Sequence, residues 1–311
     1  MPPTSLPFLR WSEVLRQTYG TRVHKISLDL GAGCPHRSGL SEGGCIFCDA
    51  RGGGSGAALR GESLEAQILR GVQGIRRRFR AELAILYFQS YTTTHLPFPL
   101  LEDQVRQALD VARRHISVVG LSVGTRPDAL PEHVLAWLQH FTSHELAIWV
   151  ELGVQTTDPQ GLVWLRRGHD LGAVVEALVR LKQFPALKPV AHLIAGIPGE
   201  AEDQLARSLL WLMERGVRDF KFHPLHVLQH TPLEDLYRQG AFQPISRERY
   251  LECLRRALQI PGGPLVVHRF SADATPPDLV APSWVAEKGT VEREILRFWA
   301  EKPTENAGTH P

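Results

Sequence analysis

The chain has 311 residues, 43% of them hydrophobic and 22% charged, which is typical of a globular protein with a full core. Its 35 basic and 33 acidic residues give a net charge of +2, and this balance excludes a strong general attraction to nucleic acid or to a membrane surface. No apolar run reaches the roughly 18 residues of a membrane helix, and the first residues lack the layout of a signal peptide, so we expect a cytoplasmic protein.

Apolar, β-branched runs alternate with amphipathic stretches along most of the chain. The predicted strands are 23–31, 83–89, 116–125, 146–155, 189–199 and 219–228. The predicted helices between them lie near 62–80, 99–114, 131–142, 171–184 and 202–216. This alternation predicts an α/β fold with a parallel sheet and helices on its faces. Six strands in series fit an open doubly wound sheet or a complete or partial barrel, and periodicity does not decide between them.

The alternation ends after residue 232, where a short helix–strand–helix pattern and a Pro-rich turn begin. This change predicts a small α+β appendage after the core, and the polar composition of the last residues predicts disorder. We therefore expect four segments: an N-terminal extension (1–20), the core (21–232), a C-terminal region (233–300) and a disordered tail (301–311).

Polar, Gly-rich or Pro-rich loops follow all six predicted core strands. In both sheet and barrel architectures, functional groups gather at the carboxyl ends of parallel strands, so these loops predict one shared site. The loops are a cysteine-containing segment after the first strand, followed in chain order by QSYTTTH (89–95), GTRPD (124–128), GVQTTD (153–158), GIPGE (196–200) and HPLH (223–226).

Three of the four cysteines, Cys34, Cys45 and Cys48, lie in the loop after the first strand. In a reducing compartment such a group is more typical of metal binding or catalysis than of disulfides. Structural zinc needs four ligands, usually as two close pairs, and here His36 is the candidate fourth ligand beside one close pair. Three thiolates fit a [4Fe–4S] cluster better, because one iron then stays open for substrate. Cys253 lies on an amphipathic helix and is expected to be a buried apolar residue.

Several segments carry a family resemblance that extends over about residues 20–285: VHKISLDLGAGCPHRSGLSEGGCIFCD (23–49), YFQSYTTTH (87–95), ELGVQTTDPQGLVWLRRGHD (151–170), HLIAGIPGE (192–200) and HRFSADATPPDLVAPSW (268–284). They resemble the radical S-adenosylmethionine (radical SAM) superfamily, and within it the YhcC/YtqA-type subfamily, which is related to Elongator protein 3-like and coproporphyrinogen-type proteins. The C-x10-C-x2-C spacing is that of this subfamily. One departure is GAGCPHRSG, where relatives read closer to GFTCPNRDG.

The resemblance implies a partial (βα)6 TIM-like barrel with a [4Fe–4S] cluster on Cys34, Cys45 and Cys48. It further implies that the open iron binds the amino and carboxylate groups of SAM. One electron, from a donor such as flavodoxin or ferredoxin, would then break a C–S bond. The resulting 5′-deoxyadenosyl radical would take a hydrogen atom from a substrate held in the barrel.

The resemblance also assigns SAM-binding positions outside the cysteine loop. Glu151 and Gln155 share one face of the fourth strand, because side chains alternate along a strand. A carboxylate in an apolar strand is costly to bury alone, so Glu151 needs either a ligand or an ion pair with a nearby arginine. The other expected positions are Gln89 at the end of the second strand and Gly196, Ile197 and Gly199 of the GIPGE loop.

The roles of Arg126, His169, Lys221 and His223 stay open at this point, although Lys221 and His223 share one face of the sixth strand. The substrate is open too. Arginine runs at 76–80, 112–114, 166–167 and 247–256 are usually solvated surface, but beside a barrel mouth they could hold an RNA backbone.

Elongator-type relatives act on the wobble uridine of tRNA, and the resemblance therefore makes tRNA the first substrate hypothesis. The alternatives are a radical SAM enzyme acting on a small-molecule metabolite, or a non-catalytic protein that binds a cluster or zinc.

Overall fold

A computed structural model describes residues 6–39, 43–260 and 263–301. Of the tail predicted at 301–311, all but Glu301 lies outside these ranges.

The strands of the described chain are β1 (Phe8–Arg10), β2 (Val23–Leu28), β3 (Leu83–Phe88), β4 (Ser117–Thr125), β5 (Ala147–Gln155), β6 (Leu187–Ala195), β7 (Asp219–Pro224), β8 (Val227–Leu228), β9 (Leu265–Arg269) and β10 (Leu279–Ala281). The helices are α1 (Trp11–Tyr19), α2 (Leu64–Phe79), α3 (Phe98–Arg113), α4 (Glu132–His140), α5 (Pro159–Trp164), α6 (Leu171–Lys182), α7 (Gln204–Glu214), α8 (Pro232–Arg238), α9 (Arg247–Leu258) and α10 (Thr290–Glu301). The six predicted core strands and the five helices between them are confirmed to within a few residues.

Eight strands form one parallel sheet in the order β1-β9-β7-β6-β5-β4-β3-β2. Strands β2 to β7 are neighbours in chain order, and at least one helix connects each pair. The sheet curls into a half-barrel, so Lys25 of β2 pairs with Glu151 of β5 across the interior although β3 and β4 lie between them. The predicted partial barrel is therefore confirmed, and the open doubly wound sheet is not the architecture.

Helix α2 shows how the sequence builds this layered structure. Ser63 caps it by accepting a hydrogen bond from the backbone N–H of Ala66 at 3.2 Å. Ile68 and Val72 recur at helical spacing on its buried face. Gly71 lies so close to β2 that a Cβ there would stand 2.3 Å from the side chain of Ile26, which requires glycine at this position.

The N-terminal segment belongs to the barrel. Strand β1 pairs with β9 at one edge of the sheet, and α1 then leads to β2 at the other edge. Trp11 of α1 packs edge-on against Trp149, with ring centroids 5.5 Å apart, and Leu15 joins the same apolar cluster with Val190. Since these partners lie near the amino ends of β5 and β6, α1 closes that end of the barrel.

The C-terminal region shares the main sheet as well. Strand β9 lies between β1 and β7, and its Leu265 and Val267 are buried. Helix α9 packs between α7 and α10. The sequence indicated a separate appendage because the apolar run of β9 is too short to predict a pairing partner. No helix among the described residues is long and apolar enough to cross a membrane.

Candidate functional site

A cavity of about 360 Å³ lies inside the half-barrel and reaches the carboxyl ends of the strands. Cys34, Cys45 and Cys48 line it beyond the end of β2. Glu151 and Lys221 line it from the middle of β5 and β7. The cysteines therefore stand at the mouth, and the charged strand residues stand deeper.

The cysteine loop is held by its own backbone. Cys48 donates its N–H to the carbonyl of Cys45 at 3.1 Å, and Gly44 donates to the carbonyl of His36 at 2.7 Å. Gly44 has φ +82°, a conformation that glycine adopts without strain. Ile46 donates to the carbonyl of Leu165 at 3.1 Å, which ties the loop to the end of α5. These bonds bring sulfurs that are remote in sequence to one side of the cavity.

Arg167 contacts one of the three sulfurs directly. Its Nη1 lies 3.1 Å from Cys45 Sγ, and its Nη2 donates to the carbonyl of Gly153 at 2.5 Å. Arg126 Nη2 donates to the carbonyl of Arg167 at 2.6 Å, and Asp128 holds Arg126 through two bonds of 2.9 Å. The structure therefore uses Arg126 as a brace at the barrel mouth, one of the two roles that the sequence left open.

The thiols form a donor set that suits a cluster. Burial raises the pKa of Cys48 to about 12, with the neighbouring Cys45 adding to the shift, so an ionised Cys48 requires a bound cation. Within the described residues, no three His, Cys, Asp or Glu side chains converge as they would around one ion. His36 packs against Gly168 and lines a groove outside the cavity. Because His36 lines the outer groove, the donors at the cavity are the three thiols, and three thiolates are the set that holds a [4Fe–4S] cluster with one open iron.

Glu151 is buried and held by several partners. Its Oε1 pairs with Lys25 and accepts a hydrogen bond from Ser122 Oγ at 2.5 Å. Its Oε2 pairs with Lys221 and lies 2.8 Å from His192 Nε2. Of the two roles that the sequence allowed, the ion pair is present in the structure, although its cations are lysines instead of arginines.

The electrostatics of this network follow from burial and from the lysines. Burial disfavours ionised Glu151, but Lys221 and Lys25 outweigh it and hold its pKa well below the ordinary value. Burial lowers the pKa of Lys221 well below its ordinary value, more than Glu151 restores it. Burial, with Lys221 nearby, lowers the pKa of His192 to about 4. At neutral pH the network therefore holds an ionised Glu151 beside a neutral His192.

Gln89 and Gln155 both line the cavity, as the sequence indicated. Gln89 Nε2 donates to the carbonyl of Gly53 at 2.5 Å, and its Oε1 accepts a hydrogen bond from Ser27 Oγ at 3.2 Å. Gln155 has φ +72°, a left-handed conformation that is strained for a residue with a side chain. Such strain concentrates at functional sites, which supports a binding role for this residue.

The GIPGE loop does not line the cavity. Ile197 is buried in an apolar cluster that includes Ile46 of the cysteine loop. Gly196 has φ +91° and lies against Ile245, where a Cβ would be 2.8 Å from that side chain. Gly199 has φ +82° with open space around it. The GIPGE loop therefore packs against the cysteine segment through this apolar cluster. Contact of the GIPGE loop with a ligand stays a prediction.

Three residues of open role fall into two places. Lys221 and His223 both line the cavity, and burial lowers the pKa of His223 well below its ordinary value. His169 lines the outer groove, where its Nδ1 lies 3.1 Å from the carbonyl of Asp170. Burial lowers the pKa of His169 to about 4, and Arg167 adds to that shift.

The sequence did not single out several residues of the site. Lys25 and His192 lie in apolar strands. A polar residue at such a position was the signal that could have identified them as site residues. Arg167 was considered as an ion-pair partner of Glu151 and as part of the arginine run at 166–167, but not as a contact of a cysteine. Arg269, at the end of β9, also lines the cavity; it lies in the segment 268–284 that carries the resemblance, but it was not named as a site residue.

Two of the arginine runs lie away from the cavity. Arg76 donates to the carbonyl of His115 at 2.6 Å, and Arg22 donates to the carbonyl of Phe79 at 3.0 Å. These partners precede β4 or end α2, so the runs at 76–80 and 112–114 stand at the amino ends of the strands. They do not border the barrel mouth, the position in which arginine runs could hold an RNA backbone.

Comparison with known proteins agrees with this architecture. The chain matches the family models of the Radical SAM superfamily over residues 29–212 and of the Radical SAM C-terminal domain over 217–297. It is 31% identical over 297 residues to YtqA of Bacillus subtilis (strain 168), covering 95% of this chain and 89% of that protein. It is 33% identical over 288 residues to YhcC of Escherichia coli (strain K12), covering 92% and 90%.

More distant relatives share part of the chain or the fold. The chain is 29% identical over 147 residues to the tRNA uridine(34) acetyltransferase of Methanocaldococcus jannaschii. The matched region covers 46% of this chain and 26% of that protein. The solved structure of archaeal Methanocaldococcus infernus Elp3 with an N-terminal deletion is similar in fold, with a TM-score of 0.67 at 17% identity. The matched region covers 89% of this chain and 63% of the Elp3 chain. By its family match and its half-barrel fold, the chain belongs to the radical SAM superfamily of enzymes.

Proposed function

We propose that the chain holds a [4Fe–4S] cluster through Cys34, Cys45 and Cys48 and cleaves SAM reductively. When bound, the cluster supplies the electron that breaks a C–S bond of SAM. The observation that carries the proposal is the placement of three thiols at the mouth of one cavity, with Arg167 on Cys45. A cytoplasmic location suits the proposal, because thiols stay reduced there.

The residues around the cysteines would bind and orient SAM. Gln89 and Gln155 offer amide groups at the cavity wall, and Thr92 has a buried hydroxyl that makes no hydrogen bond within the described chain. An unpartnered buried hydroxyl is costly unless a ligand completes it. Glu151 already has two lysines, so we assign it to the deeper wall that faces the substrate. Contact of Gly196, Ile197 and Gly199 with the adenine also remains part of the proposal.

For the substrate we propose the wobble uridine of tRNA. The partial similarity to a tRNA uridine(34) acetyltransferase and the fold shared with Elp3 support this choice. The position of the arginine runs at 76–80 and 112–114 does not contribute to it. A small-molecule substrate is the second candidate, because the cavity of about 360 Å³ can enclose one compact group.

The first test is anaerobic reconstitution with iron and sulfide, followed by reduction with dithionite in the presence of SAM. We expect 5′-deoxyadenosine from the wild-type protein and none from Cys45→Ala. Cys253→Ala is the matched control, because Cys253 lies on α9 outside the cavity, and it should keep full iron content. Tight zinc binding without cluster formation would contradict the proposal.

The substrate is tested separately. A deletion strain should lose one uridine modification when its tRNA is digested and compared by mass spectrometry. RNA that co-purifies with the protein should dissociate as the salt concentration rises, because phosphate contacts release counterions. An unchanged tRNA profile together with cleavage of SAM by the wild-type protein would favour the small-molecule alternative.

A further inference from the structure

A β-bulge at the end of β9 turns the side chain of Arg269 toward the cavity. Phe220 of β7 pairs with Val267, and the next residue, Lys221, pairs with Arg269, so His268 is the extra residue. Neighbouring side chains on a regular strand point to opposite faces, and a bulge changes this alternation. His268 stacks on Trp11 inside the closed end of the barrel, while Arg269 lines the cavity beside Lys221.

Every carboxylate that lines the cavity already has a cationic partner. Glu151 pairs with both lysines of the barrel interior. Asp49 and Asp278 share Arg51 at 2.7 and 2.8 Å. Asp273 pairs with Lys288 at 2.7 Å. Burial opposes ionisation of Asp273, but the hydrogen bond from Lys288 and, more weakly, the nearby Arg269 hold its pKa below the ordinary value.

The side chain of Arg269 makes no hydrogen bond and no ion pair within 4.0 Å among the residues that the structure describes, and it is only partly exposed. Arg269 is close enough to lower the pKa of Lys221, although burial and Lys25 lower it more. In the deep part of the cavity, Lys221 and Arg269 line the wall, and the carboxylate of Glu151 there is already held by Lys25 and Lys221. A guanidinium keeps its charge in a protein, and inside a cavity that charge is stabilised by an anion.

We propose that Arg269 binds an anionic group of the substrate, a carboxylate or a phosphate, in the deep part of the cavity. Its planar guanidinium matches either group through two parallel hydrogen bonds. Lys221 stands opposite Arg269 on β7 and offers a further hydrogen-bond donor, and His223 lines the same wall. This inference rests on the proposed function in that it names the anion as part of the substrate.

The experiment measures anion binding to the anaerobically reconstituted full chain by calorimetry, with SAM present to fill the site near the cysteines. The probes are inorganic phosphate, uridine 5′-monophosphate, uridine and succinate. We expect the wild-type protein to bind at least one anion and not uridine. In Arg269→Gln the dissociation constant should rise by about tenfold or more, the factor for one lost hydrogen bond between charged groups.

The probes also distinguish the two sources of the anion. Binding of the phosphates without succinate identifies a phosphate-bearing substrate, and the reverse identifies a carboxylic acid. Arg207→Gln is the matched control, because Arg207 is 64% exposed on α7 and pairs with Asp203, and its binding constants should equal those of wild type. Equal binding by wild type and Arg269→Gln, or no anion binding by wild type, overturns the inference.

A second readout does not depend on any probe. Because Arg269 lacks a partner beside Lys221, Arg269→Met should keep or raise the Tm of the ligand-free chain. A Tm well below that of wild type would show that Arg269 is structural, and would overturn the inference. Neither readout requires cleavage of SAM, so failure of the 5′-deoxyadenosine assay leaves this result independent.

Discussion

Arg167 Nη1 lies 3.1 Å from Cys45 Sγ, although the two residues are 122 positions apart in the chain. The guanidinium keeps its charge in a protein, so the hydrogen bond that it donates to this sulfur is charge-assisted. Since the same side chain also binds the carbonyl of Gly153, it ties the cysteine loop to β5.

We expect Arg167→Gln to shift the reduction potential of the reconstituted cluster to a more negative value, because hydrogen bonds to cluster sulfurs raise it. The potential is measured by a redox titration followed by electron paramagnetic resonance. Arg166→Gln is the control, because Arg166 is exposed and lines the outer groove. An unchanged potential in Arg167→Gln with full iron content would contradict the role of this contact.

Removal of the Glu151 carboxylate should be strongly destabilising. Glu151→Leu leaves Lys25 and Lys221 buried without a counter-charge, and such a loss costs about 3–5 kcal/mol. Urea unfolding at neutral pH measures the change in free energy. Glu176→Gln is the comparison, since Glu176 is 72% exposed and its pair with Arg180 is worth about 1 kcal/mol or less. A small loss for Glu151→Leu would mean that the lysines shed their charge without cost.

The pH dependence of stability should carry the signature of buried neutral histidine. The pKa of His192 is about 4 in the folded chain, because of burial first and Lys221 second. In the unfolded chain it is about 6.5, so the unfolded state binds an additional proton between these values. The contribution of His192 to the free energy of unfolding is therefore fully present above about pH 6.5. It is lost as the pH falls toward 4, by up to about 3 kcal/mol.

His192→Gln should flatten that slope in urea unfolding measured at a series of pH values. The pKa of His169 and of His268 is lowered to about 4 as well, so a part of the slope remains. A variant with the same slope as wild type would show that His192 is protonated in the folded chain.

The packing of His36 on Gly168 predicts a steric effect at the cysteine loop. Gly168 has φ +69°, and a Cβ there would lie 2.4 Å from the His36 ring. Gly240 has φ +74° with nothing within 4 Å, so Gly240→Ala isolates the backbone strain, about 1–2 kcal/mol. We expect Gly168→Ala to lose more stability than this control and to bind less iron. Equal Tm and iron content in the two variants would rule out the steric effect.

The sequence predicted the elements of the core because their signals are local. Apolar runs such as LAILYF of β3 are buried on both faces, and the helices between the strands carry clear helical periodicity. The cysteine spacing likewise identified the loop that lines the cavity. These features need no knowledge of which strand lies beside which.

The contacts inside the barrel could not be predicted in the same way. Lys25, Glu151 and Lys221 come from three strands, and only the curl of the sheet brings the first two together. Arg269 faces the cavity because of a bulge, and a bulge leaves no pattern in a short strand. Glu151 therefore looked like a ligand-binding carboxylate, while its own partners stayed hidden in other parts of the chain.

The pairing of β1 with β9 has a consequence for synthesis. Phe8 of β1 pairs with Leu265 of β9, so β1 is made long before its partner, and this edge of the sheet stays incomplete until β9 has left the ribosome. Long-range pairing of this kind closes slowly, because a long loop must be ordered before any contact is gained. Until then Trp11 and Leu15 of α1, which close the barrel, lack part of their final surroundings. During translation, α1 is therefore an incompletely packed helix that chaperones can bind.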